Sequence, residues 1–131
     1  FLNLLKEDKL LAGILIVDDS KTSRKLLREL LEENGFDVVG EASNGEEGYS
    51  LFKELRPDLV TMDITMPKMD GIECLSLIRK EDDKAKVIMI TAAGQREKMV
   101  EALKRGAEDF LTKPFDIDRV LETIKEVLDI E

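Results

Sequence analysis

Five residues in this sequence, at four places along it, carry side chains that could do chemistry together. An acidic pair, Asp18-Asp19, follows the apolar run GILIV at 13–17. A lone Asp63 lies inside VTMDITMP at 60–67, Thr91 follows KVIMI at 86–90, and Lys113-Pro114 follows EDFLT at 108–112. Carboxylates brought together repel one another and call for a cation. One of them can also serve as a nucleophile. A lysine supplies a fixed positive charge, and a threonine hydroxyl supplies a hydrogen-bond donor. Taken singly, each has an ordinary reading. Asp18 and Asp19 could begin a helix, Asp63 could open a turn, Thr91 could be structural, and Lys113 could be solvated.

The rest of the composition narrows the chemistry. The chain has no histidine and one cysteine, Cys74. Histidine-based catalysis, histidine-ligated metal and a cysteine-rich zinc site are therefore excluded. Any metal here is held by oxygen, which favours a hard divalent ion, foremost Mg²⁺. A lone cysteine forms no internal disulfide, which fits a reducing cytoplasm; Cys74 reads as a small apolar residue packed in a helix. The 29 acids against 20 bases give a formal charge of −9, which disfavours direct binding to nucleic acid. No apolar run reaches the length of a membrane span, and no signal-peptide pattern is present.

These residues need elements to position them. The 131 residues, 43% apolar, suit one compact domain. GILIV reads as a buried strand. After it, Ser20 caps a helix with Leu26, Leu27, Leu30 and Leu31 at helical spacing, stopped near Gly35. DVVGEA at 37–42 is a second strand. Asn44 and Glu47 form a capping-box pattern for a helix carrying Gly48, Leu51, Phe52 and Leu55. Gly48 costs that helix about 1 kcal/mol relative to alanine, which points to tight packing or to a weaker helix. Arg56-Pro57 ends it. The third strand is expected at 58–62, the fourth at 86–90 and the fifth at 108–112. The helices between and after them use Ile72, Leu75 and Ile78, then Met99, Ala102 and Leu103 over about 95–105. The last, capped by Asp116, uses Ile117, Val120, Leu121, Ile124 and Leu128. Residues 1–12 do not fit this repeat and are expected to form an N-terminal extension (a tag, linker or extra helix) ahead of a domain over 13–131. A first residue Phe1 in place of methionine is expected of a processed, trimmed or fused chain.

Five βα units imply an α/β fold with a parallel sheet covered on both faces. In such sheets, sites form outside the carboxyl ends of the strands. Asp18, Asp19, Asp63, Thr91 and Lys113 all fall at that edge. With a phosphoryl group added, each acquires a role. A metal and Lys113 neutralise phosphoryl oxygens, Thr91 donates to one, and Asp63 is the best-placed nucleophile.

The joint pattern of LIVDDS (15–20), VTMDITMPKMDGIE (60–73), MITAAGQ (89–95) and DFLTKPF (109–115) resembles that of response-regulator receiver domains. It is most similar to the stand-alone chemotaxis regulators of the CheY type. The resemblance covers about 13–128. It implies a flavodoxin-like (βα)5 fold, a doubly wound five-stranded parallel sheet of order 2-1-3-4-5. It also implies a cytoplasmic signalling switch of a two-component system that is not a conventional enzyme. Asp63 would be the phospho-acceptor. Mg²⁺ would be bound by Asp19, Asp63 and the backbone carbonyl of Thr65, with Asp18 helping through water. Thr91 and Lys113 would contact the phosphoryl group, and Phe110 would sit at the aromatic switch position. Lys113-Pro114 would be a cis peptide. The implied partners are a CheA-like histidine kinase as phosphodonor and a downstream target, in chemotaxis the flagellar motor switch, reading the surface of the fourth helix, fifth strand and fifth helix. Thr65 and Ala93, neither an acid nor a carboxamide, would flank the hydrolytic water and imply slow-to-moderate self-dephosphorylation.

Three other readings are weaker. A haloacid-dehalogenase-type phosphatase needs a second Asp where Thr65 stands. A flavodoxin-type flavin module needs a phosphate loop where Asp18-Asp19 stand. A receiver module of a larger regulator or hybrid kinase shares the same site residues.

Overall fold

The short apolar runs become strands β1 (Gly13–Val17), β2 (Asp37–Ala42), β3 (Leu59–Asp63), β4 (Val87–Thr91) and β5 (Asp109–Thr112). The helical stripes become α1 (Lys21–Glu33), α2 (Gly45–Leu55), α3 (Gly71–Glu81), α4 (Arg96–Lys104) and α5 (Ile117–Leu128). These come from a computed structural model, which describes residues 12–130. The N-terminal extension expected over 1–12 therefore lies, except for Ala12, outside the described residues.

All strand pairs are parallel, and the sheet order is β2-β1-β3-β4-β5, as expected. Both faces of the sheet are buried, so the strands are apolar throughout rather than alternating. Leu15, Val17, Val60, Met62, Val87 and Met89 face a core completed by Phe52 of α2, Leu75 and Ile78 of α3 and Ala102 of α4. Ile14, Ile16, Leu59, Ile88, Ile90 and Leu111 face the other core, closed by Leu27 and Leu31 of α1 and Val120 and Ile124 of α5. Cys74 is buried in the first core, where burial pushes its thiol up to about 12.

Several details differ from the sequence expectation. Strands β3 and β4 start and end one residue later. Asp58 stays outside the ladder because its carboxylate accepts from the Gly13 N–H at 2.7 Å. Glu108 likewise lies outside β5, its carboxylate accepting from Val87 N–H at 2.9 Å. Leu26, Leu103 and Ile117 were expected inward but are exposed; their helical stripes are wider than the strip of sheet each helix covers. The Asn44 side chain caps α2 by accepting from Glu47 N–H, whereas Glu47 reaches back to Ser43 rather than to Asn44. Gly48 is a packing position: a Cβ there would stand 2.9 Å from Val17 Cγ1.

Candidate functional site

Sheet register brings the acids together. Val17 pairs with Met62 in the β1–β3 ladder, so the next residues, Asp18 just past the end of β1 and Asp63 at the last position of β3, stand side by side. Asp63 pairs with Ile90 and Thr91 with Thr112. Lys113 N–H then donates to the Thr91 carbonyl at 3.0 Å. The carboxylates of Asp18, Asp19 and Asp63 offer oxygens that all lie within 4.8 Å of one another. All five residues expected to act together therefore share one edge.

The surroundings hold each acid in place. Asp18 is buried and has both oxygens engaged, Oδ1 by Ser20 N–H at 2.8 Å and Oδ2 by Lys113 Nζ at 2.9 Å. Asp19 is exposed. Asp63 is buried at the end of β3, with Lys113 Nζ 3.6 Å from its Oδ2. Beneath Asp63 the backbone of α3 comes very close. Gly71 N–H donates to the Ile64 carbonyl at 2.7 Å, and a Cβ on Gly71 would collide with the Asp63 carbonyl oxygen. Only glycine admits that approach.

Electrostatics follow from this geometry. Burial pushes the Asp63 carboxyl up, to about 7, and the neighbouring Asp18 carboxylate adds to the effect while Lys113 opposes it. Burial also works against the Lys113 ammonium. Its hydrogen bond to Asp18 and the charges of Asp63, Asp18 and Asp19 outweigh that, so its pKa rises above the ordinary lysine value. One lysine thus faces three carboxylates. An all-oxygen acidic cluster with a single internal counter-charge is a donor set suited to a hard divalent cation.

The remaining candidates take more varied positions. Thr91 is buried, and its hydroxyl lies 3.0 Å from both the Ala92 carbonyl and Gln95 Oε1, not on Asp63. Thr65 is exposed. Phe110 is half-buried against the core beneath α2, α3 and α4. The Lys113-Pro114 bond is cis, as the resemblance implied. Two residues given no role in the sequence reading also touch the site. Arg24 donates to the Asp18 backbone carbonyl at 2.6 Å and pairs with Glu41. Gln95 bridges Thr91 to Thr65. Arg24 lies one turn into α1 and Gln95 ends the MITAAGQ stretch, but nothing in residue type or spacing says where such long side chains reach.

Among the described residues, no helix is long and apolar enough to cross a membrane. The family model of the response regulator receiver domain matches residues 14–125. The chain is 50% identical over 115 residues to the chemotaxis protein CheY of Bacillus subtilis, covering 88% of this chain and 96% of that protein. It is 47% identical to CheY of Thermotoga maritima, covering 87% and 95%. A solved CheX-CheY-BeF3-Mg²⁺ complex from Borrelia burgdorferi contains a similar chain, with a TM-score of 0.84 and 43% identity over 88% of this chain and 87% of that one. The parallel sheet, the acidic edge and these matches over nearly the whole described chain lead to one conclusion: the chain belongs to the response regulator receiver domains, the CheY-like modules of phosphorylation-based two-component signalling.

Proposed function

We propose that Asp63 is the phospho-acceptor of this receiver and that the chain works as a chemotaxis switch in the cytoplasm. The observation that carries the reading is the Lys113 ammonium lying between the carboxylates of Asp18 and Asp63 at the carboxyl edge of the sheet. An Asp63 oxygen bonds to phosphorus as the phosphorus–nitrogen bond of a kinase phosphohistidine breaks and the imidazole leaves. Lys113 neutralises the transferred oxygens, and Thr91 donates its hydroxyl to one of them. Asp19, Asp63 and the Thr65 carbonyl would hold Mg²⁺. Asp18, with both oxygens already engaged, assists from behind. When bound, the metal supplies charge neutralisation for the phosphoryl group.

Inward movement of Thr91 vacates room for Phe110, whose half-buried ring is free to turn further in. The surface of α4, β5 and α5 then changes, and a target protein reads it. The exposed Val100 and Leu103 of α4 suit that surface. The identity to CheY proteins supports a CheA-like histidine kinase as donor and a flagellar motor switch component as target. The BeF3 and Mg²⁺ of the similar Borrelia CheX-CheY complex support a phosphoryl site and a metal of these kinds.

The test is labelling of the protein with acetyl phosphate and Mg²⁺, read by intact mass. The wild type should gain one phosphoryl group, Asp63→Asn none, and Lys113→Ala should label at least about tenfold more slowly. Labelling of Asp63→Asn at another residue would overturn the assignment. An unchanged rate in Lys113→Ala would make Lys113 a bystander.

A further inference from the structure

Gln95 stands at the N-cap of α4, where a short polar side chain ordinarily accepts from the helix's own first N–H groups. It makes no such bond. Its carboxamide is used across the site instead. Oε1 accepts from Ala92 N–H at 3.1 Å and from the Thr91 hydroxyl, while Nε2 donates to Thr65 Oγ1 at 2.6 Å. The orientation of the amide is set by its neighbours: a backbone donor faces its oxygen, and a hydroxyl acceptor faces its nitrogen. One side chain thus ties the loop that follows Asp63 at the end of β3 to the loop after the neighbouring β4.

We infer that Gln95 is a latch, a positioning residue that holds the Thr91 hydroxyl away from Asp63 in the resting protein. The inference rests on the phosphoryl-acceptor reading given above. Thr91 is buried, so its hydroxyl must find a protein partner, and in this state its one proton is shared between Gln95 Oε1 and the Ala92 carbonyl, each at 3.0 Å. Turning toward a phosphoryl group on Asp63 requires breaking the bond to Gln95. Gln95 itself is only half-buried, so water can satisfy its amide once released. That makes the latch weak enough to open, because a hydrogen bond exchanged for one to water has a small net worth. The hold depends on both ends of the amide. Asparagine is one methylene shorter, and a glutamate carboxylate has no proton to donate to Thr65.

The test uses the full chain and beryllofluoride, a phosphoryl mimic, at saturating Mg²⁺. Gln95→Met keeps the side-chain length and removes both amide groups. It should lower the beryllofluoride dissociation constant by roughly two- to fivefold, at most the worth of about one net hydrogen bond, because the Ala92 carbonyl remains as an acceptor for the hydroxyl. In a Thr91→Val background the same substitution should have no effect, since no hydroxyl remains to be released; a merely structural role for Gln95 would persist there. Thr65→Val keeps the backbone carbonyl and loosens only the second anchor. It should tighten binding by a smaller factor, and it carries the test if Gln95→Met does not fold. Unchanged or weaker binding by Gln95→Met, or an equal gain with and without the Thr91 hydroxyl, overturns the latch. A wild-type protein that binds no beryllofluoride overturns the acceptor reading, and the latch with it.

Discussion

Replacing Asp63 with asparagine should make the metal-free protein more stable at pH 8, although it removes the residue at the centre of the site. Burial and the Asp18 charge push the Asp63 carboxyl to about 7 from an ordinary 3.8. The native state therefore binds that proton more tightly than the unfolded chain does. For a pKa raised in this way, the stabilisation is fully present below about pH 4 and is lost as pH rises through 7. At pH 8 the native state carries the full burden of a buried, repelled carboxylate. The difference between 3.8 and about 7 sets a ceiling near 4 kcal/mol at about 1.4 kcal/mol per tenfold. The carboxylate lies at the open edge of the sheet and shares the Lys113 charge with Asp18, so screening reduces this to about 1–2 kcal/mol. Lys113 keeps its bond to Asp18 in the variant. Urea unfolding in EDTA should show Asp63→Asn ahead by that amount at pH 8, with the gap shrinking toward zero near pH 4. In a thermal melt the same gain is roughly 3–8 °C. Millimolar Mg²⁺ should stabilise the wild type more than the variant and narrow the gap. An Asp63→Asn protein no more stable than wild type at pH 8, or a gain independent of pH, would refute the electrostatic reasoning.

Two further outcomes can be checked directly. Gly71→Ala should lose about 2 kcal/mol or more in urea unfolding, because its Cβ collides with the Asp63 carbonyl and overpacking outweighs the gain in helix propensity; a neutral result would mean that the start of α3 can move freely. The phosphorylated protein, freed of donor, should decay at a slow-to-moderate rate, since neither Thr65 nor Ala93 carries an acid or carboxamide to orient water; a lifetime of seconds or less by mass spectrometry would reject this.

Much of the site is legible in the residues because it is written in strand ends. Asp18, Asp63, Thr91 and Lys113 each follow a short apolar run, and a parallel sheet aligns such ends along one edge. The boundaries were less legible. Asp58 and Glu108 look like strand residues by position, but their carboxylates turn to cap the backbone N–H groups of Gly13 and Val87. Leu26, Leu103 and Ile117 extend their helical stripes yet lie exposed, because periodicity reports which face is apolar and not how much of it the sheet covers.

The alternation of apolar strands and amphipathic helices, the all-oxygen chemistry imposed by the absence of histidine, and the candidates Asp63 and Lys113 were determined by the sequence itself. These are local facts of residue type and period. The tertiary structure decided what depends on distance across the sheet. Lys113 sits nearer to Asp18 than to Asp63, Asp63 is the carboxylate pushed toward neutrality, and Gln95 joins Thr91 to Thr65. Hydrogen bonds and charge coupling act over a few ångströms between residues far apart in the chain. Only register and side-chain placement bring them within that range.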